Sequence, residues 1–374
     1  MISAYNAQKP PGVLIVGAGV AGATVADRLS RLGFRIYLAD REMQIGGHAA
    51  EYGCKATDVC VRCNVCVAER LFREVRSAPA IRFFPGTQLT QLRRENGDGA
   101  ALCATLCETG GSESHELAID ALVLATGFEP YNPRENRAYG YGRTPNIITG
   151  RDAEHQLAST ATLRRPSDER IPEKIAFIQC VGSRSEEVFR DPQDVDYCST
   201  VCCAYALRMA RRVKHETPDA DITVFFMDIQ HFGKDFDSFY RDCCEQFRFV
   251  RSRPSRLEPA SDDRVCITYA AEKPGHPVVQ ETFDLAVLSV GMRPRPEAGK
   301  LAELLNIPLD DYGFFGVKKA GAMPDLFHDR IWVAGAGEAP RDIAGTIAQA
   351  EAVSADLLAR LNVSNECAEG TMAK

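Results

Sequence analysis

No stretch of the 374-residue sequence stays apolar over the ~18 residues that a membrane crossing needs, and residues 1–12 carry no basic-then-apolar leader. The expectation is a cytoplasmic protein with no membrane span. A basic stripe is missing too, and the formal net charge is −7, so neither nucleic acid nor an anionic membrane is expected as the main partner. No pair of histidines or carboxylates has a spacing that asks for general acid–base catalysis. Hydrophobic content of 45% and charged content of 25% are ordinary for a globular protein, and the length suits about two domains of ~100–200 residues. Cysteine is what the chain has in excess. Fourteen are many for a cytosolic protein, where disulfides are rare, so clusters among them point to metal or redox chemistry.

The first organised stretch is Val13-Leu14-Ile15-Val16-Gly17-Ala18-Gly19-Val20-Ala21-Gly22. β-Forming residues run into a glycine turn, and residues 23–32 continue with helical composition. Gly17 allows the turn, Gly19 lets the backbone approach a pyrophosphate, and Gly22 lets the helix pack close on the strand. Val20 and Ala21 open the helix whose N-terminus would take the phosphate. A second strand, Arg35-Ile36-Tyr37-Leu38-Ala39-Asp40, ends in an acid suited to a ribose hydroxyl, with Arg41 beside it. Ile45-Gly46-Gly47-His48 follows and is read as lining the same cofactor. Glycines so spaced also occur in plain turns; the strand, helix and acid around them favour a dinucleotide site.

Next comes Cys54-x5-Cys60-x2-Cys63-x2-Cys66. Four cysteines so close suit an iron–sulfur cubane, a zinc site or a CxxC redox disulfide, and spacing alone leaves the three open; the Cys-Pro ending of a ferredoxin run is missing. Residues 81–124 read as β-rich around an Asn96-Gly97-Asp98-Gly99 turn, with Cys103 and Cys107 expected as buried structural cysteines. A buried strand then ends at Ala125-Thr126-Gly127 and returns the chain to the cofactor sheet. Residues 130–172 read as loop, linker and one short helix.

A second strand–helix–strand unit opens at Lys174, with helical composition over 197–215 and a strand over 222–228. Its glycine fingerprint is missing. Cys180-Val181-Gly182-Ser183 stands where a phosphate loop is expected, followed after an insertion by Cys198-Ser199-Thr200-Val201-Cys202-Cys203. Cysteines at a strand end and a helix start replace the backbone cradle that a nicotinamide dinucleotide needs, so this unit is expected to exchange electrons through a metal cluster. Cys243-Cys244, in a helical run with no third ligand nearby, is read as packing. Residues 283–291 repeat a strand-to-glycine pattern ending at Gly291, and the chain is expected to cross back into the first domain there. The strand over 330–333 runs into Gly335-Ala336-Gly337, and a helix from Asp342-Ile343 to Leu361 could present N–H groups to a cofactor. Residues 362–374 are read as a frayed tail.

These stretches resemble the flavoprotein (A) component of heterodisulfide reductase. The resemblance is carried by residues 16–22, Ala125-Thr126-Gly127, Gln179-Cys180-Val181-Gly182-Ser183-Arg184, Tyr197-Cys198-Ser199-Thr200-Val201-Cys202-Cys203, Phe239-Tyr240-Arg241, Pro340-Arg341-Asp342-Ile343 and Gln349-Ala350. It implies an α/β, thioredoxin-reductase-like fold with two Rossmann-type dinucleotide-binding domains, the second interrupting the first. The expected parts are an FAD domain over 1–150 and 286–374, and a second Rossmann-like domain over 171–285. It further implies FAD on Gly17, Gly19, Gly22, Asp40, Gly46, Gly47, Thr126 and residues 335–343, and a [4Fe-4S] cluster on Cys180, Cys198, Cys202 and Cys203; the run Cys54–Cys66 departs from it by carrying more cysteines than such relatives lead one to expect, and a second cluster there is the added expectation. His48 and Glu338 are the candidate proton donors near the flavin. The chain lacks the ferredoxin-type run of the long methanogen form, and it has Ala336 where many flavin reductases place an Asp. It is similar to the short form of sulfur-oxidising bacteria, whose implied partners are B- and C-type subunits and a lipoate-carrying protein. A homodimer is expected by analogy, and electron bifurcation is not. Two other classes compete: an NAD(P)H-dependent flavin disulfide reductase using Cys60–Cys63 or Cys63–Cys66, and a zinc-binding adaptor on a degenerate nucleotide fold.

Overall fold

The computed structural model describes residues 10–94, 102–185, 195–230, 233–275, 277–316, 326–328 and 330–361. The expected turn at 96–99 and the tail at 362–374 lie outside the described residues. The chain opens with β1 (Gly12–Val16), α1 (Val20–Arg31) and β2 (Arg35–Ala39). It continues through α2 (Val65–Ser77) and β3 (Ile81–Phe84) to an antiparallel sheet of β4 (Thr87–Arg94), β5 (Leu102–Glu108) and β6 (Ser114–Ile119), then re-enters the first sheet as β7 (Ala121–Leu124).

After β8 (Phe128–Pro130), the second unit is built from β9 (Ile147–Thr149), α3 (Gly150–Thr160), β10 (Lys174–Val181), α4 (Cys202–Glu216), β11 (Asp221–Phe226), α5 (Phe236–Gln246) and β12 (Arg248–Arg251). A small antiparallel sheet follows, of β13 (Arg256–Pro259), β14 (Val265–Ala270) and β15 (Val278–Phe283), and then β16 (Leu285–Val290). The chain returns through β17 (Met292–Pro294), α6 (Ala298–Leu305), β18 (Leu326–His328) and β19 (Ile331–Val333), and closes on α7 (Ile343–Arg360).

Each unit is a layered α/β sandwich. The first sheet has the order β18-β19-β7-β1-β2-β3, parallel but for β18. Val13, Leu14 and Ile15 are fully buried because α1, α2 and α7 cover one face while α6 and the β4–β6 sheet cover the other. The second sheet, β12-β11-β10-β16-β9, is parallel throughout. Here α3, α4 and α5 cover one face and the β13–β15 sheet the other. The two passages between units run side by side, with β8 paired antiparallel to β17. In both sheets the strand order reverses at the central strand, β1 or β10, and a crevice opens past the strands' C-terminal ends.

Four local expectations differ from the structure. The strand over 285–290 belongs to the second sheet, between β10 and β9, so the return crossing comes one strand later, through β17. A uniformly buried strand reports its burial and not which sheet it joins. Within the expected linker, β9 is an unforeseen edge strand of the second sheet; the one short helix expected there is α3, which starts on a capping box, Thr149 Oγ1 accepting from Asp152 N (3.2 Å) while Asp152 Oδ2 accepts from Thr149 N (2.8 Å). Helix α4 begins at Cys202 because Thr200, at φ 59°, interrupts the helical path of residues 197–201. On β5 the alternation sends Leu102, Ala104 and Leu106 inward, leaving Cys103 and Cys107 half-buried; likewise Cys243 is buried but Cys244 exposed.

Trp332 is fully buried in the first core, and its Nε1 donates to Asp356 Oδ2 on α7 at 2.8 Å. Trp332→Ala is expected to lower stability by about 3–5 kcal/mol, read as a drop in the denaturant midpoint; an unchanged midpoint would contradict this packing.

Candidate functional site

The site grows from the end of β1. Gly17 has φ 110°, and a Cβ there would stand 2.2 Å from Ala125 O; a Cβ on Gly22 would stand 1.8 Å from Gly17 O. These two glycines let strand, turn and helix close on one another. Gly19 differs: its φ of −74° suits any residue and nothing lies within 4 Å of its Cβ position, so that direction is open. It is the N-cap of α1, with no side-chain cap and no acid in the first turn. The helix therefore presents unneutralised amide dipoles to the space in front of it, which is what an anionic pyrophosphate needs.

That space is a cleft of about 620 Å³ running across both units. Every residue expected at the cofactor lines it except Gly22, Gly335, Gly337 and residues 338–340. A Cβ on Gly335 would meet Ala21 Cβ at 2.5 Å, and one on Gly337 would meet Thr126 Oγ1 at 3.2 Å, so both stand behind the wall as close-packing positions. Asp40 lines the cleft and also holds the turn, its carboxylate accepting from Ala18 N (2.5 Å) and Glu42 N (2.9 Å). Arg41 is paired with Glu297 at 2.6 Å. Asp342 caps α7 through Gly345 N (2.7 Å), and His48 Nε2 lies 3.2 Å from Phe128 O. Glu338, expected near the flavin, is not in the cleft wall but pairs with Arg341, which is.

The far end of the cleft holds residues that sequence reasoning missed: Tyr52, Lys55, Arg151, Tyr205 and Arg208. Lys55 is buried and pairs with buried Glu154 at 2.7 Å, between the rings of Tyr52 (5.5 Å) and Tyr205 (5.4 Å). The same Glu154 Oε1 accepts from Gly53 N at 2.8 Å. Burial beside this negative group pushes both tyrosine hydroxyls up. Arg151 bonds both Glu51 carboxylate oxygens (2.8 and 2.7 Å). Arg208 is largely buried, which lowers its pKa, and its Nε donates to Val61 O at 3.0 Å. These contacts join residues 51–61 to helices α3 and α4 from the other unit. A lone lysine or glutamate in sequence carries no sign of such a pairing.

At the end of β10 the second unit gathers thiols. Cys180, Cys202 and Cys203 are buried, and Cys202 is hydrogen-bonded to both of the others. Those bonds hold Cys180 and Cys203 below the ordinary thiol range and push Cys202 up, while burial raises Cys198, which feels the charges of Cys180 and Cys203. Thr200 N points at Cys198 Sγ (3.3 Å), and Arg184, paired with Asp228, stands beside Cys180 and Cys198. Among the described residues no three His, Cys, Asp or Glu side chains have closed into a metal-holding arrangement; what the fold brings together is the donor set. The phosphate-loop position is filled. Gly182 (φ 74°) has the buried ring of Tyr131 only 2.4 Å from its Cβ position, and the Ser183 and Ser199 hydroxyls meet at 3.2 Å. Cys202 also lines the cleft, so one cavity touches both the glycine turn and the thiol group. The Cys54–Cys66 segment is apart from this group: Cys54, Cys60 and Cys66 are exposed, and half-buried Cys63 reaches the cleft wall.

Comparison with known proteins agrees with this geometry. The sequence profile of the pyridine nucleotide-disulphide oxidoreductase family matches residues 11–178. The A-type iron–sulfur component of a CoB–CoM heterodisulfide reductase from Methanopyrus kandleri is 29% identical over 91% of this chain and 63% of its own. The A-type component of a H2:CoB–CoM heterodisulfide, ferredoxin reductase from Methanothermobacter thermautotrophicus is 34% identical over 68% of this chain and 40% of its own. The chain is a homologue of these A-type components of heterodisulfide reductase. It spans about two fifths to two thirds of the length of the two relatives, and both comparisons place it among oxidoreductases. Thioredoxin reductase of Lactococcus lactis shares the fold, with TM-score 0.57 and 15% identity over 94% of this chain and 99% of that one. No helix among the described residues is long and apolar enough to cross a membrane.

Arg151 holds the Glu51 carboxyl below the usual carboxylate range, against the opposing effect of burial, and His155 (3.0 Å) adds to it. A depressed carboxylate contributes stability above its unfolded pKa and loses it as pH falls through the folded one. Glu51→Gln is therefore expected to destabilise the chain at neutral pH and to flatten the acid limb of a stability–pH curve. Parallel limbs for the two proteins would refute the role.

Proposed function

We propose that the chain is an electron-transfer oxidoreductase subunit that binds FAD in the inter-unit cleft and a [4Fe-4S] cluster on Cys180, Cys198, Cys202 and Cys203. The carrying observation is the single cleft whose wall includes both the glycine turn and Cys202. The open direction at Gly19 and the uncapped α1 N-terminus fit a pyrophosphate, and three buried thiols with half-buried Cys198 accepting an amide beside them fit thiolate ligation. When bound, FAD supplies the exchange between two-electron and one-electron chemistry.

The chain's own residues divide the work. Amides at the start of α1 orient the pyrophosphate, while Asp40 and Arg41 mark the ribose end. Tyr52, Tyr205 and Lys55, the last ion-paired with Glu154, line the cleft where residues 51–61 meet the second unit. Arg184 offsets the negative charge of a four-thiolate group. Tyr131 and the Ser183–Ser199 pair occupy the turn that a nicotinamide dinucleotide would need, which favours this reading over a pyridine-nucleotide-driven disulfide reductase. The finer part of the proposal follows the resemblance described above: a cytoplasmic, homodimeric component of a heterodisulfide-reductase-like complex in sulfur oxidation, working with B- and C-type subunits and a lipoate-carrying protein.

Two variants test the core of it on anaerobically purified protein. Gly19→Val leaves the fold intact, since nothing stands within 4 Å of its Cβ position, and is expected to cut flavin occupancy at least tenfold. Cys202→Ser is expected to keep the flavin and lose about four irons with their acid-labile sulfide. Full flavin in the first variant would remove FAD from the cradle, and unchanged iron in the second would remove the cluster from the buried thiols. Rapid bleaching of the flavin by NADH or NADPH would instead favour the disulfide reductase.

A further inference from the structure

We propose that Gln179 is the hydrogen-bond donor that sets the reduction potential of the cluster on Cys180, Cys198, Cys202 and Cys203. The inference rests on the function proposed above and adds to it a positioning residue that is not a ligand.

The placement of Gln179 comes from an irregularity in β10. Ile178 pairs with Leu288 and Val181 with Val290, so β10 takes three steps where β16 takes two. A bulge of this kind inserts an extra residue into a strand and re-aims the side chains around it. Ile178 and Val181 both pack into the core under the β13–β15 sheet, while Phe177 packs on the opposite face, under α3, α4 and α5. The two residues between them, Gln179 and Cys180, are left to that helix-covered face. Cys180 shows it directly: held left-handed at φ 59°, it bonds through its thiol to Cys202 in the first turn of α4. The Gln179 amide thus lies on the thiol side of the sheet, one residue before the first thiol. Ser289 comes up beside it on the neighbouring strand, on the same face as Val287, and lines the cleft together with Cys202.

The amide has nothing in the protein to bond. Gln179 is 3% exposed and Ser289 2%, and among the described residues Gln179 Nε2, Gln179 Oε1 and Ser289 Oγ have no hydrogen-bond partner. Polar groups near the start of the covering helices are committed elsewhere. The Tyr205 hydroxyl donates to Gly150 O at 3.1 Å, and the Thr149 hydroxyl to Asp152 Oδ2 at 2.8 Å. A buried amide without partners destabilises a fold, and an apolar side chain of similar shape would not, so a glutamine in this position calls for an explanation.

Cluster sulfur supplies one. Thiolates and sulfides held by the four cysteines place acceptors on the side to which the bulge turns Gln179. Hydrogen bonds to the sulfurs are among the effects that set a cluster's potential. The reduced cluster carries one more negative charge than the oxidised one, so an N–H aimed at sulfur favours the reduced form and raises the potential. No covalent bond is made or broken by Gln179.

The experiment uses full-length wild type, Gln179→Met, Gln179→Leu and Cys202→Ser, purified anaerobically and reconstituted with iron and sulfide. Iron and sulfide are counted, and the EPR signal that Cys202→Ser removes is titrated against potential. Both apolar variants are expected to keep about four irons at this site. Their reduction equilibrium is expected to fall at least tenfold, a midpoint potential lower by about 59 mV for one electron. In the iron-free protein Gln179→Met is expected to raise the denaturant midpoint, because two unpartnered polar atoms leave the interior. An unshifted potential at full iron content would overturn the inference and leave the cluster in place. A lower denaturant midpoint for iron-free Gln179→Met would overturn it as well, since the amide would then serve the fold through a buried water. Iron that survives in Cys202→Ser, or none in wild type, would sink the cluster at these thiols and this inference with it. Should one apolar variant fail to fold, the other gives the same readout.

Discussion

The buried ion pair of Lys55 with Glu154 is the contact on which the arrangement of the cleft depends. Burying two charges is costly, and the cost is offset here because Glu154 also accepts from Gly53 N while the ammonium lies between two aromatic rings. Removing one partner of such a pair leaves an uncompensated buried charge, a loss of about 3–5 kcal/mol in general. The two residues come from different units: Lys55 from the cysteine-bearing segment and Glu154 from α3 on the second sheet. The pair thereby fixes where that segment lies, and with it the far wall of the cleft. Arg151 with Glu51, Arg208 with Val61 and Arg212 with Ala56 extend the same seam.

Two α/β units of like topology meet across that seam, and the turns at their strand ends are furnished differently. At the end of β1 three glycines leave the backbone bare, and the helix that follows opens without a cap or an acid. At the end of β10 the equivalent turn is occupied by Tyr131, by a serine pair and by thiols. A crevice past the strand ends is a property of the topology; what binds there is set by the side chains that fill or vacate it. The oxidoreductase kinship and the geometry agree on this point, because the dinucleotide-type cradle survives in one unit and is replaced in the other.

Much of this was legible locally. The strand–turn–helix over residues 13–31, the acid at Asp40 and the strand-to-glycine endings at Gly127 and Gly335 follow from short-range patterns, and the structure has each in place. Cys180, Cys198, Cys202 and Cys203 could be grouped from a recognisable signature. The allocation of residues 285–290 could not be read: a strand buried on both faces looks the same whichever sheet it completes. Nor could the three-residue edge strand at 147–149, hidden in a Pro- and Arg-rich stretch where only the one short helix, α3, was expected.

The sequence by itself determined the α/β class, the glycine turn and the spacing of both cysteine groups, since each is written in residues adjacent along the chain and in dihedral preferences that act over one or two turns. The tertiary structure alone decided that a lysine and a glutamate 99 residues apart would meet in the core. It also decided that Cys63 and Cys202 would line one cavity and that a tyrosine would fill the second phosphate loop. Those outcomes come from how two sheets and their covering helices pack, and periodicity records that a residue is buried without recording what it is buried against.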